Sequence, residues 1–281
     1  MTTTTQAMRH PPDPATFARM TTEEMRRIFL LGDLFKTGRL NFHYSYVDRA
    51  VIGGAVPGRK ALVLPTCKEL AAEYFTQRRE LGIINVGGSG SIRVGGQEFP
   101  VNKKEALYIG RGNPDVRFSS SDPRDPAQFY FVSYPAHTTY PCAKAGKKQA
   151  ESSDLGNAEH ANRRTIHRLM PTGAIKSCQL SLGFTEIATG SVWNTMPPHT
   201  HPRRSEIYLY FDLPAGEVVI HSMGEPAETR HLVIRDRQAV VSPSWSIHAG
   251  VGTINYTFVW AMGGENQEFS DMDPAPMETL G

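Results

Sequence analysis

The amino-acid sequence predicts an all-β protein with a few short helices, and two observations carry that expectation. The run Glu206-Ile-Tyr-Leu-Tyr-Phe211 alternates apolar and aromatic residues, and Cys178-Gln-Leu-Ser-Leu-Gly-Phe-Thr-Glu-Ile187 alternates likewise, the period of a strand. The 25 glycines and 20 prolines among 281 residues suit many short strands joined by turns. The length allows one large or two small domains with a substantial core.

In chain order, residues 1 to about 15 are polar and proline-rich and are expected to be loose at the tip. Thr22-Glu-Glu-Met-Arg-Arg-Ile-Phe-Leu30 reads as a short helix, with Thr22 as its cap and Met25, Ile28 and Phe29 as its apolar stripe. Asp48 to Pro57 reads as a strand leading into a glycine turn. From Glu69 to Val94 the pattern is strand, turn, strand. Gly87-Gly-Ser-Gly90 lacks the Lys-Ser/Thr of a phosphate loop and no helix pattern follows it, so it is a hairpin turn. Residues 119–128 read as a loop, Phe129 to Tyr134 as a strand, and Lys144 to Gly156 as a linker. Further strands are expected at Glu217 to Met223, Arg230 to Arg235 and Tyr256 to Met262. His137, His221 and His231 are read as structural, and the tail after Asp273 as packing on a neighbour.

The chemistry concentrates in Asn194-Thr-Met-Pro-Pro-His199-Thr-His201-Pro-Arg-Arg-Ser-Glu206. Side chains two apart on an extended chain point the same way, so His199 and His201 can face one point. Pro197, Pro198 and Pro202 keep the segment out of helix. Glu206 opens the next strand, and His248 follows Ser242-Pro-Ser-Trp-Ser-Ile. Three neutral imidazoles and a carboxylate suit zinc, or another divalent metal such as iron, manganese or nickel.

This order of ligands resembles the cupin barrel. Gly190 and Gly216 stand off the spacing of the first cupin motif, and Trp245 replaces the glycine of the second; neither departure touches the four ligands. Longer words narrow the resemblance to the 5-keto-4-deoxyuronate isomerases (4-deoxy-L-threo-5-hexosulose-uronate ketol-isomerases) of pectin breakdown. They are Asn194-Thr-Met-Pro with Arg203-Arg204, Ser242 to His248 followed by Gly250-Val-Gly-Thr253, Pro135-Ala-His-Thr-Thr-Tyr-Pro141, Asn162-Arg-Arg-Thr165, Arg78-Arg-Glu-Leu-Gly82, Gly224 with Glu228-Thr-Arg-His231, and Gly264-Glu-Asn-Gln267. They run from about Tyr44 to Asp273.

The resemblance implies conversion of 5-dehydro-4-deoxy-D-glucuronate to 3-deoxy-D-glycero-2,5-hexodiulosonate. It matches His199, His201, Glu206 and His248 with that family's zinc ligands and implies a hexamer. The halves also echo each other, so the expected fold is two cupin-like β-barrels: residues 1–160 without metal ligands and residues 161–281 with them. Setting Glu80 against Glu206 places Phe75 and Glu73 where His201 and His199 stand.

Moving a carbonyl along a sugar requires proton removal beside it, for which Glu265, Tyr208 or a metal-bound water are candidates. The substrate's carboxylate calls for an arginine, with Arg163, Arg164 and Arg204 as candidates. A metal-dependent cupin dioxygenase and a non-catalytic sugar-binding barrel are the competing readings. The 30 basic and 28 acidic side chains nearly cancel, against a broad nucleic-acid footprint. No apolar run is long enough to span a membrane and the start lacks a secretory core. Cys67, Cys142 and Cys178 form no CxxC pair, which with the rest points to the reducing cytoplasm.

Overall fold

A computed structural model describes residues 3–172 and 175–281. Contacts divide the chain into two compact units. The first comprises residues 1–8, 33–150 and 169–180; the second comprises 9–32, 151–168 and 181–281.

The first unit holds a seven-stranded sheet in the spatial order Thr3–Arg9, Arg39–Ser45, Val51–Val56, Phe129–Pro135, Arg79–Asn85, Ala106–Ile109, Ala143–Ala145. A four-stranded sheet accompanies it: Leu62–Val63, Val116–Ser120, Gly90–Val94, Gln97–Val101. The second unit repeats both orders except at the last strand of the large sheet, which comes from an earlier part of the chain. Its seven-stranded sheet runs Glu151–Leu155, Arg164–Met170, Ser181–Ile187, Thr257–Gly264, Arg204–Phe211, Gln238–Ser242, Leu30–Leu31. Its four-stranded sheet runs Trp193–Asn194, Ile247–Gly252, Val219–Glu225, Glu228–Ile234. The fold is all-β, two cupin-like barrels with few short helices, and the shared strand order gives the internal echo a structural basis.

Several local expectations change. Residues 3–9 form a strand rather than a loose tip, and Met1 and Thr2 lie outside the described residues. The helix spans Thr22–Phe29, but its cap is Thr21. The Thr21 hydroxyl accepts the Glu24 N–H while the Glu24 carboxylate accepts the Thr21 N–H, a reciprocal box that Thr22 is one residue too late to make. With Phe17 and Met20, this helix sends Met25 and Phe29 into the core of the second unit beside Tyr208, Tyr210 and Phe258. The expected linker at 144–156 carries the edge strands Ala143–Ala145 and Glu151–Leu155. The tail pairs within its own chain: Asp273–Pro274 lies against His199–Thr200.

The echo also needs a different register. Arg79 and Arg204 each open a strand, and each buried guanidinium donates to backbone carbonyls, Arg79 to those of Arg49 and Ser133. Aligned on these arginines, Leu81 rather than Glu80 stands at the place of Glu206, and Thr76 and Tyr74 stand at those of His201 and His199. Leu81 belongs to the apolar cluster that fills the first unit, with Phe75, Phe118 and Phe131. Glu80 has other work. Fully buried, it accepts the N–H groups of Cys178, Gln179 and Leu180 at 2.6–2.8 Å and the Tyr108 hydroxyl at 2.8 Å. Four donors around one carboxylate satisfy a charge that burial otherwise makes costly.

Candidate metal centre

The strand Arg204–Phe211 builds the site. Its period of two turns Glu206, Tyr208 and Tyr210 toward the same interior, where the tyrosines join the aromatic core of the second unit. His199 stands on the short strand tied to Asp273–Pro274, His201 on the turn that follows, and His248 on Ile247–Gly252. His248 lies 49 residues along the chain from His199, and the sheet closes that gap.

Three imidazoles and one carboxylate converge. The Nε2 atoms of His199 and His201 are 3.0 Å apart, and those of His199 and His248 are 3.2 Å apart. Glu206 Oε2 lies 3.0 Å from His201 Nε2 and 2.8 Å from His248 Nε2. The other ring nitrogens fix the tautomers. His201 Nδ1 lies 2.9 Å from the Asp271 carbonyl and His248 Nδ1 3.3 Å from the Ser246 carbonyl, and since a carbonyl can only accept, each ring nitrogen donates there. The Arg204 Nε and Nη2 stand farther from His201 Nδ1, at 3.4 and 3.3 Å, so the carbonyl is its nearer partner. Their Nε2 lone pairs therefore face inward, toward one another's neighbours and an anionic carboxylate.

Such a cluster is repulsive without a positive charge in its middle. Protons alone serve badly: they would put charge on the stacked rings of His201 and His248, 5.0 Å apart and buried. Burial, and then His248, pushes His199 down to about 2, so it stays neutral. Burial raises the Glu206 carboxyl, but positive charge on His248 and His201 outweighs this and holds it well below the usual range, so the carboxylate calls for a cation beside it. One divalent ion answers all four groups. Ligands about 2.1 Å from an ion stand roughly 3.0 Å apart at right angles and roughly 3.4 Å apart at tetrahedral angles, so these spacings are on the scale of a shared ion. The four donor atoms lie within 4.8 Å of one another, and the group can hold a metal ion.

A cavity of about 250 Å³ opens beside the cluster, lined by His199, His201 and Glu206 and walled by Tyr208, Phe258 and Trp260. It has room for about eight waters at ~30 Å³ each, the scale of a small sugar acid. Gly183 lets Trp260 into that wall, since a Cβ there would come within 2.3 Å of the indole. Tyr208 is a buried phenol whose oxygen lies 2.8 Å from the Thr195 hydroxyl. Burial and the adjacent Glu206 push its pKa well above 10.0, so it is a donor and not a base. Thr195 holds this partner from a left-handed backbone, φ 48°, which costs a β-branched residue about 1–3 kcal/mol. Arg164 also lines the cavity, half-buried, and donates to the Asn162 carbonyl at 2.8 Å. Among the described residues it has no carboxylate partner.

The sequence profile of the KduI/IolB family matches residues 31–277. The chain belongs to the KduI/IolB family. Its relatives include proteins named 4-deoxy-L-threo-5-hexosulose-uronate ketol-isomerase. One from Caldicellulosiruptor bescii is 51% identical over 95% of this chain and 97% of its own. Another, from Formosa agariphila, is 50% identical over 97% of both chains. Among solved structures, an IolB-like protein from Salmonella typhimurium LT2 superposes with a TM-score of 0.64 at 14% identity, covering 78% of this chain and 85% of that one. An oxalate decarboxylase from Bacillus subtilis superposes with a TM-score of 0.54 at 11% identity, covering 77% and 69%. At these identities the two structures support the fold alone.

The other candidates scatter. Glu265 is exposed and off the cavity, with its backbone N–H on the Arg203 carbonyl. Arg163 is exposed. Arg204 is buried, but the carbonyls of Glu268, Phe269 and Asp271 occupy its guanidinium. His137 is exposed on a loop of the first unit. His221 is a buried partner of the Tyr210 hydroxyl at 2.7 Å. Sequence reasoning gave no role to Thr195 or Asp271; the word Asn194-Thr-Met-Pro was the only signal for the first, and nothing local marked the second. Among the described residues no helix is long and apolar enough to cross a membrane, and the three cysteines are unpaired.

Proposed function

We propose that this chain is a metal-dependent 4-deoxy-L-threo-5-hexosulose-uronate ketol-isomerase, converting 5-dehydro-4-deoxy-D-glucuronate to 3-deoxy-D-glycero-2,5-hexodiulosonate in the breakdown of pectin. The observation that carries this is a His199, His201, Glu206 and His248 cluster opening on a small cavity that the Arg164 guanidinium also lines, without a carboxylate partner among the described residues. Zinc is the expected ion, held by these four side chains. When bound it supplies a Lewis acid for the sugar's carbonyl and neighbouring hydroxyl oxygens.

The protein's own groups do the rest. Arg164 binds the substrate's carboxylate and so fixes which end of the chain meets the cluster. Trp260 and Phe258 keep water from the reacting carbons. Turnover moves one proton from C2 to C1 and a second from the C2 hydroxyl to the C1 oxygen, which carries the carbonyl from C1 to C2. Tyr208, kept as a phenol and aimed by Thr195, donates a hydrogen bond to the oxygen that gathers charge. Among the described residues Glu206 is the one carboxylate lining the cavity, and it is already engaged by His201 and His248. A cytoplasmic location, supported by the three free cysteines, and a hexamer, supported by the resemblance, belong to the same reading.

The deciding experiment measures turnover of the keto-uronate by chelator-stripped protein and by the same protein restored with zinc. Activity is expected to vanish on stripping and to return with zinc; equal rates in both would remove the metal from the mechanism. Oxygen uptake with iron-loaded protein would instead favour a dioxygenase. Tyr208→Phe is expected to lower kcat by about 10²-fold with little change in KM. Full activity in that variant would end the donor role.

A further inference from the structure

Residues 265–276 carry little regular structure, only the pairing of Asp273–Pro274 with His199–Thr200. Yet the segment is densely tethered, and most of the tethers meet at one residue. Arg203 Nε donates to both carboxylate oxygens of Asp271 at 2.8 Å, its Nη2 adds a third contact, and Asn266 Nδ2 donates to the same carboxylate at 2.5 Å. Arg204 donates to the carbonyls of Glu268 at 2.6 Å, Phe269 at 3.3 Å and Asp271 at 3.2 Å. The Asp271 carbonyl also receives His201 Nδ1–H. Phe269 and Met272, on either side, line the cavity, and Phe269 packs on Trp260 at 5.3 Å.

We propose that Asp271 is the positioning residue of the metal centre, acting through two different groups: its carboxylate, gripped by Arg203, pins the 268–272 turn, and its carbonyl then sets the tautomer and tilt of His201. The Arg203-Arg204 pair accordingly holds this strap and does not hold substrate. A histidine whose far nitrogen donates to a fixed carbonyl presents its other lone pair in one direction, and loss of such an outer partner lowers metal affinity by about 10–100-fold. A planar fork on a carboxylate is the contact best able to fix a turn that has no ladder of its own. Because the same turn carries Phe269 and Met272, the alignment of His201 and the shape of the cavity wall are set together.

The proposal rests on the metal reading above, so its test reads metal binding and not turnover. Full-length wild type, Arg203→Ala, Arg203→Lys and Asn266→Ala are stripped with chelator and titrated with Co²⁺. Affinity is read by chelator competition, and ligand geometry by the visible absorption band. Arg203→Ala is expected to bind Co²⁺ about 10–100-fold more weakly, with a shifted band. Arg203→Lys is expected to recover part of the loss, and Asn266→Ala to lose less. Arg203 is 38% exposed, so its removal leaves the core intact, and circular dichroism of the stripped variants checks this. Wild-type affinity and an unshifted band in Arg203→Ala and Asn266→Ala would overturn the positioning role alone. A wild type that binds no Co²⁺ would overturn the metal assignment as well.

Discussion

Glu206→Gln is expected to lower kcat/KM for the keto-uronate by at least about 10³-fold, roughly 4 kcal/mol of transition-state stabilisation. Glutamine keeps the shape of the side chain and removes its charge. The cluster then offers an ion three neutral rings and a weak amide donor, in a buried place where charge balance decides affinity. Metal content of the purified variant, measured beside its rate, shows which step fails. A variant that loses its metal and its thermal stability while the wild type never turns over uronate would support a purely structural ion. A variant that retains both metal and full rate would sink the assignment of Glu206.

Arg164→Ala has the second-largest expected effect, about 10²-fold in kcat/KM, most of it in KM. The guanidinium is half-buried, burial holds its pKa below the usual arginine value, and one of its nitrogens, Nη1, donates to the Asn162 carbonyl. It therefore has donors to spare for a carboxylate in the cavity. Arg164→Lys is expected to recover only part of the loss, because an ammonium lacks the planar fork. The control is the substrate: an analogue with the carboxylate replaced by a neutral group should react slowly with wild type and be little affected by Arg164→Ala. Equal losses on both substrates would move Arg164 from carboxylate binding to support of the wall.

Much of the fold was legible because strand periodicity is local. The runs Ser181–Ile187 and Arg204–Phe211 were visible from alternation, and Thr257–Gly264 from its run of apolar and aromatic residues. Segments defined by what they pair with escaped that reading. Thr3–Arg9 and the edge strands at 143–145 and 151–155 look like loops because a sheet edge needs no apolar alternation.

The arginines show the same limit inside the site. Period two sets Arg163 and Arg164 on opposite faces but does not say which face the cavity takes. It also points Arg204 the same way as Glu206, as a substrate-binding group would require. The strap at 268–271, distant in sequence, then covers Arg204 with carbonyls.

By itself the sequence determined the all-β class, the type of chemistry and the four side chains that converge, because ligand identity and strand parity are properties of short words. The tertiary structure decided how those words are used. It put Arg164 in the cavity wall, left Arg163 exposed and covered Arg204 with carbonyls, kept Tyr208 a phenol beside a carboxylate, and brought Asp271 behind His201. The physical reason is that hydrogen-bond satisfaction and burial are settled by whichever segment arrives from far along the chain, and no local pattern encodes that arrival.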